Sequence, residues 1–179
     1  MNGCLDAVGI FAIMPSSTKS SNGNNRMALY HAMQPQWIAL LEGEVNRTAN
    51  LANLSASIFA AFDWHWVGFY VVDQQRDELV LAPFQGPVAC TRLHRGKGVC
   101  AAAWDSKSAQ AVDDVEAFPG HIACSALSIS ELVLPVVVEG EVVAVLDIDS
   151  TKPADFSQVD VEGFASIIDH LESRWNQWE

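Results

Sequence analysis

The run from Glu131 to Asp149 constrains this chain more than any other stretch. Glu131 to Val138 and Glu141 to Asp149 are rich in apolar and β-branched residues around Gly140, which reads as an antiparallel hairpin. Alternation along a strand puts Val143, Val145, Asp147 and Asp149 on one face and Val142, Ala144, Leu146 and Ile148 on the other. Gly140 suits the left-handed last position of a three-residue loop, Val138-Glu139-Gly140. In that register Val137 faces Glu141, Glu131 falls opposite Asp147, and all three carboxylates share a face. Opposed like charges destabilise a strand pair, so a cation belongs among them or one acid keeps its proton. The plainer reading is that these acids mark exposed strand ends. A two-residue turn would favour it, because it rotates Glu131 to the other face.

Around this hairpin the pattern alternates between helix and strand. Leu29, Met33, Trp37, Leu40 and Leu41 recur at helical spacing, and Pro35 is expected to separate two helices. A second segment, Asn46 to Phe62, carries Leu51, Leu54, Ile58, Phe59 and Phe62 as its buried stripe. Trp66 to Val72 and Glu78 to Phe84 read as strands of a meander, followed by a short strand at Cys90 to Leu93. Gly96-Lys97-Gly98 opens a short helix, Val99 to Ser106, and Ala109 to Val115 is a further strand. A last amphipathic helix runs from Phe156 to Trp178, with Asp155 or Ser157 as N-cap. The prediction is an α+β fold, with a central, mostly antiparallel sheet of about six strands and N- and C-terminal helices on one face.

A length of 179 residues suits one domain with its own core. We expect residues 1–26, Ser- and Asn-rich toward their end, to form a flexible extension and 27–179 to form the domain. The net charge of -12 speaks against nucleic acid and anionic membranes as partners. No apolar run is long enough to span a bilayer. The expected location is the cytoplasm, with an N-terminal targeting leader as the alternative for the extension.

Four cysteines in a chain of this length, with no CxxC pair, do not make a disulfide framework. Cys90, Cys100 and Cys124 are either buried thiols or reactive ones. Cys124 follows the turn Phe118-Pro119-Gly120-His121-Ile122-Ala123, where free backbone N–H groups and His121 can stabilise a thiolate. A zinc site built from the cysteines with His94 and His121 fails on ligand spacing, and no metal is expected.

Several segments in fixed order carry a resemblance. They are Trp66-Val67-Gly68-Phe69-Tyr70, Leu81 to Gly86, Ala89-Cys90-Thr91-Arg92, Gly96 to Cys100, Phe118 to Cys124, Ser130-Glu131 and Leu146 to Ser150. Together they resemble the free methionine-(R)-sulfoxide reductases, enzymes built on a single GAF domain, from about Met27 to Trp178. The chain departs from that pattern at Ser125, Ile129, Ala101, Ala102 and Glu116.

The resemblance implies a thioredoxin-dependent oxidoreductase of oxidative-stress defence, reducing free L-methionine-(R)-sulfoxide to L-methionine. It makes Cys124 the attacking thiol, which is left as a sulfenic acid. Cys90 resolves it to a disulfide, Cys100 serves as alternative partner or pocket wall, and thioredoxin restores the thiols. No bound cofactor is implied, and a homodimer is compatible. Among Glu131, Asp147 and Asp149, one or two bind the substrate ammonium and one, kept protonated, donates to the sulfoxide oxygen. Backbone N–H groups at His121, Ile122 and Ala123 receive the substrate carboxylate, and Trp66 and Tyr70 face the S-methyl group. The competing reading is a non-catalytic GAF sensor of cyclic nucleotides or metabolites, which has no need of three cysteines.

Overall fold

The structure, a computed structural model, describes residues 23–120 and 126–179. Four helices and six strands follow in the order α1 (Gly23–Leu41), α2 (Arg47–Ala61), β1 (Trp66–Asp73), β2 (Glu78–Gln85), β3 (Arg92–His94), α3 (Gly98–Ser106), β4 (Gln110–Val112), β5 (Ser130–Val138), β6 (Glu141–Ser150) and α4 (Gln158–Arg174). The strands form one sheet in the order β3-β2-β1-β6-β5-β4, and every paired neighbour is antiparallel. The α+β architecture and the six strands are as the sequence predicts. No helix among the described residues is long and apolar enough to cross a membrane.

Pro35 does not divide α1, which runs through it. Proline in a helix interior costs about 3 kcal/mol. Here it sits on the exposed side, where water can satisfy the carbonyl its missing N–H leaves free. On the opposite side Tyr30, Met33, Trp37 and Leu41 are fully buried, and that stripe outweighs the local penalty. The strand expected at Cys90 to Leu93 begins only at Arg92, and the one expected over Ala109 to Val115 is confined to Gln110–Val112. Ser157, not Asp155, caps α4, in a capping box with Asp160. The helix itself stops at Arg174, and the chain continues in a short 3-10 turn.

The hairpin corrects the expected register. Its turn has two residues, Glu139 and Gly140, both with positive φ (53° and 83°), as a type I′ turn requires. Val138 pairs with Glu141, Val137 with Val142, and the register then shifts so that Val136 pairs with Ala144. Val143 is the extra residue of a β-bulge. A two-residue turn alone would have sent Glu131 to the far face, and the bulge reverses that rotation. Glu131 therefore lies opposite Asp149, and Asp147 opposite Val133, with all three acids on one side. The bulge also exchanges Val142 and Val143 relative to simple alternation. Val142 packs with Val145, whereas Val143 packs with Ala144 and Leu146 on the other face.

The sheet divides two cores. On one side Leu132, Leu134, Val136, Leu146 and Ile148 meet α1, α2 and α4 in an aromatic-rich cluster containing Trp37, Trp64, Phe164 and Tyr30. Gly163 of α4 lets α1 approach closely, since a Cβ there would lie 2.2 Å from the Tyr30 ring. On the other side α3 lies against the sheet, and Trp66, Tyr70, Leu93, Val99, Cys100, Val133 and Val145 form a smaller cluster.

Candidate active site

The smaller core is open at one end. Register places Trp66 beside Asp149, Gly68 beside Asp147 and Tyr70 beside Val145 across β1 and β6. Because cross-strand partners share a face, the side chain missing at Gly68 lets the Trp66 ring and Phe84 pack over that position, beside Asp147. A Cβ on Gly68 would lie 2.5 Å from the Trp66 ring and 2.3 Å from Phe84. The result is a pocket walled by Trp66, Tyr70, Leu93, Val99 and Cys100 and floored by Glu131, Asp147 and Asp149.

Its walls are pinned by their polar ends. Trp66 Nε1 donates to the carbonyl of Pro87 at 3.1 Å, and the Tyr70 hydroxyl donates to the carbonyl of Cys90 at 3.0 Å. Both bonds hold the segment between β2 and β3 over the pocket. Burial, reinforced by the nearby charge of Asp147, pushes the Tyr70 pKa up, so the phenol remains a donor. Trp66 and Tyr70 stack with centroids 6.0 Å apart, giving the pocket an aromatic side.

The floor is the electrostatic anomaly of the molecule. Glu131 and Asp147 are buried, and Asp149 is half-buried. Burial, then the charges of Asp147 and Asp149, raises Glu131 well above the usual carboxylate range. Burial and the charge of Asp149 do the same to Asp147. Burial raises Asp149 to about 6, with the neighbouring Ser128 side chain acting to lower it. All three carboxyls therefore hold their protons to higher pH than a free carboxylate does. The Cys100 thiol lies 3.9 Å from Glu131 Oε1, and burial together with the same carboxylates drives its pKa up. It is a poor nucleophile in this setting.

Cys90 is disulfide-bonded and Cys100 is a free buried thiol, so Cys100 is not the other half of that bond. His121, Ile122, Ala123 and Cys124 lie outside the described residues. Of the remaining expected site residues, Trp66, Tyr70, Cys100, Glu131, Asp147 and Asp149 line one pocket, with Cys90 next to its lining residue Ala89. His94 pairs with Glu78 at 3.1 Å, on the outer strand.

Sequence reasoning missed Lys97 and Ser128, which line the pocket, and Gly68, on which the Trp66 ring packs. The signal for Gly68 was its position between Trp66 and Tyr70, two residues from each on the same face. Lys97 stands at the mouth as N-cap of α3, whose first turn has no side-chain cap. Uncapped first-turn N–H groups at a pocket wall are a natural receptor for an anionic group.

Residues 46–173 match the GAF domain family model. A curated "GAF domain-containing protein A" from Dictyostelium discoideum is 50% identical over 80% of this chain and 90% of its own length. The free methionine-R-sulfoxide reductase of Escherichia coli is 42% identical over 83% of this chain and 89% of its own. The X-ray structure of free methionine-R-sulfoxide reductase from Neisseria meningitidis, in complex with its substrate, superposes with a TM-score of 0.84 at 44% identity, covering 92% of this chain and 97% of that one. The chain belongs to the free methionine-R-sulfoxide reductase family of GAF domains. Of the departures from the reductase pattern noted in the sequence, Ala101, Ala102, Glu116 and Ile129 do not line the pocket, and Ser125 lies outside the described residues. Ala101 is buried within α3, Glu116 is exposed on a 3-10 turn, and Ile129 donates its N–H to the Ser150 carbonyl at 2.8 Å.

Proposed function

We propose that the protein reduces free L-methionine-(R)-sulfoxide to L-methionine through a cysteine sulfenic acid and a disulfide, with thioredoxin as the reductant. The observation that carries this reading is the trio of carboxylates, two buried and one half-buried, on the floor of an aromatic-walled pocket, in a chain 42% identical to a curated free methionine-R-sulfoxide reductase. Free methionine sulfoxide brings an ammonium, a carboxylate and a polar S=O on an apolar stem. Ionised Asp149 suits the ammonium, and the aromatic faces of Trp66 and Tyr70 suit the S-methyl group. The substrate carboxylate goes to backbone N–H groups, at residues 121–123 or at the start of α3. A requirement for both charged ends excludes methionine sulfoxide within a polypeptide.

The chemistry then balances. The Cys124 thiolate attacks the sulfoxide sulfur while a protonated acid, Glu131 or Asp147, donates to the oxygen. Methionine departs and the oxygen stays on Cys124 as a sulfenic acid. The Cys90 thiol condenses with it, forming a disulfide and releasing water. A thioredoxin dithiol takes over that disulfide by exchange, returning both thiols. The disulfide at Cys90, with Cys100 left as a free thiol, supports Cys90 as the resolving residue and Cys100 as pocket wall.

The test is NADPH consumption in a coupled assay with thioredoxin, thioredoxin reductase and free L-methionine-(R)-sulfoxide. Consumption is expected with the free amino acid and not with a peptide containing methionine sulfoxide. Cys124→Ser is expected to abolish even one turnover. Cys90→Ser is expected to release one methionine per chain and then stop. Binding without consumption in the wild type would turn the reading toward a sensor.

A further inference from the structure

Cys100, Glu131 and Asp147 come from three different elements, α3, β5 and β6. Their separation in sequence matches no metal-binding motif, yet in space one donor atom from each lies within 4.8 Å of the others. All three are more than nine-tenths buried, at 4%, 8% and 7% exposure. One carboxylate oxygen, Asp147 Oδ1, is sealed from water and has no hydrogen-bond partner. Buried polar atoms are normally satisfied, and an acceptor left bare beside two other potential metal ligands is a place for a missing positive group. We propose that Cys100, Glu131 and Asp147 form a binding site for a borderline-soft divalent cation, Zn²⁺ above all, and that the metal competes with an amino-acid ligand for the pocket.

The donor set selects the ion. A thiolate with two carboxylates suits zinc and excludes magnesium and calcium, which take oxygen alone. Zinc holds sulfur at about 2.3 Å and carboxylate oxygen at about 2.0–2.2 Å, so tetrahedral neighbours stand about 3.5 Å apart. The Cys100 sulfur is already 3.9 Å from Glu131 Oε1, and small side-chain rotations close the remainder. Three protein ligands leave the fourth position for water or for half-buried Asp149, which lines the same pocket. Binding reverses the local electrostatics. The burial and mutual repulsion that favour the protonated groups are outweighed by attraction to the ion, and the thiol and carboxyl protons leave for solvent. The competition follows from the reading that these carboxylates also hold the substrate; the metal site itself does not depend on that reading.

Cobalt(II) reports a thiolate ligand directly. Added to the protein with the Cys90 disulfide intact, it is expected to give a sulfur-to-cobalt charge-transfer band in the near ultraviolet. The band should saturate at about one ion per chain and be chased by Zn²⁺. Cys100→Ser is expected to remove the band. Asp147→Asn, which keeps the thiol and nearly the same shape, should weaken cobalt binding by about tenfold or more. Methionine, at concentrations that calorimetry shows to fill the pocket, is expected to raise the apparent Kd for cobalt. No band, or a band that survives Cys100→Ser, overturns the site, and a band indifferent to bound methionine overturns the competition. None of these readouts uses turnover. A protein that shows the band but reduces no sulfoxide would count against the reductase reading and leave the metal site standing.

Discussion

Two buried aspartates, one on each side of the same sheet, are treated in opposite ways. Asp160, at the start of α4, is fully buried, and its carboxylate is surrounded by donors. It accepts from the Tyr30 hydroxyl at 2.8 Å, the Ser157 backbone N–H at 2.8 Å and Arg26 at 3.2 Å. Asp147 is also buried, but its neighbours are Glu131, Asp149 and a thiol, and its Oδ1 has no partner. Asp160 is a charge that the fold supplies with partners. Asp147 is an acid that the fold surrounds with other acids and a thiol, so the site favours its protonated form. A buried carboxylate therefore marks a structural tie on the helix side and a chemical tool on the pocket side, and what surrounds it decides which.

The largest expected effect comes from breaking the satisfied side. Asp160→Ala leaves Arg26 facing only Asp155 and strands the buried Tyr30 hydroxyl. Loss of one member of a buried ionic network costs about 3–5 kcal/mol, which urea denaturation should read as a lower midpoint. The protein that remains folded should keep its turnover number, because nothing in the pocket has changed.

The matching change on the other side should have the opposite sign in stability. Asp147→Asn removes a buried acid whose ionisation the site opposes, so thermal unfolding at neutral pH should move upward. Loss of the acid should slow sulfoxide reduction by about two orders of magnitude. A variant that loses stability and keeps its rate would make Asp147 a structural group like Asp160.

Asp149 gives the same comparison through pH. Its carboxyl is pushed to about 6, above the ordinary value near 3.9. The folded state therefore binds this proton more tightly than the unfolded chain does. The stabilisation is complete below pH about 4 and is lost as pH rises through about 6. Stability of the wild type relative to Asp149→Asn should accordingly fall across that window by about 3 kcal/mol and be flat above it. If ionised Asp149 holds the substrate ammonium, kcat/KM should rise with pH through the same range, and Asp149→Asn should lose that limb.

Much of this arrangement was legible in the sequence, for reasons that differ by element. The strands β1, β2, β5 and β6 have apolar alternation strong enough to fix their positions. Pro35 misled because a local penalty was weighed without the buried stripe of Tyr30, Met33, Trp37 and Leu41 on the opposite side of α1. The shared face of the three acids was expected for the wrong reason. A three-residue loop and a two-residue turn with a bulge at Val143 give the same parity, and only the second is present. No spacing rule could reveal that Cys100 would meet Glu131, since α3 docking onto the sheet brings them together.

The smallest effects should come from the two glycines at which the two cores reach closest packing. Gly163→Ala pushes a methyl into the Tyr30 ring, and Gly68→Ala pushes one into Trp66 and Phe84. Overpacking of this kind costs about 1–3 kcal/mol at either site, so stability alone does not separate them. Kinetics should. Gly163 touches the helix-side core only, and its variant should retain both kcat and KM once folded. Gly68 lies across from Asp147 under the Trp66 ring, so its variant must shift the aromatic wall. The acid itself is untouched, and the loss should therefore appear in KM for the free amino acid, by about tenfold, with kcat changed less. An unaltered KM in Gly68→Ala would mean that the substrate does not depend on the aromatic wall this glycine seats.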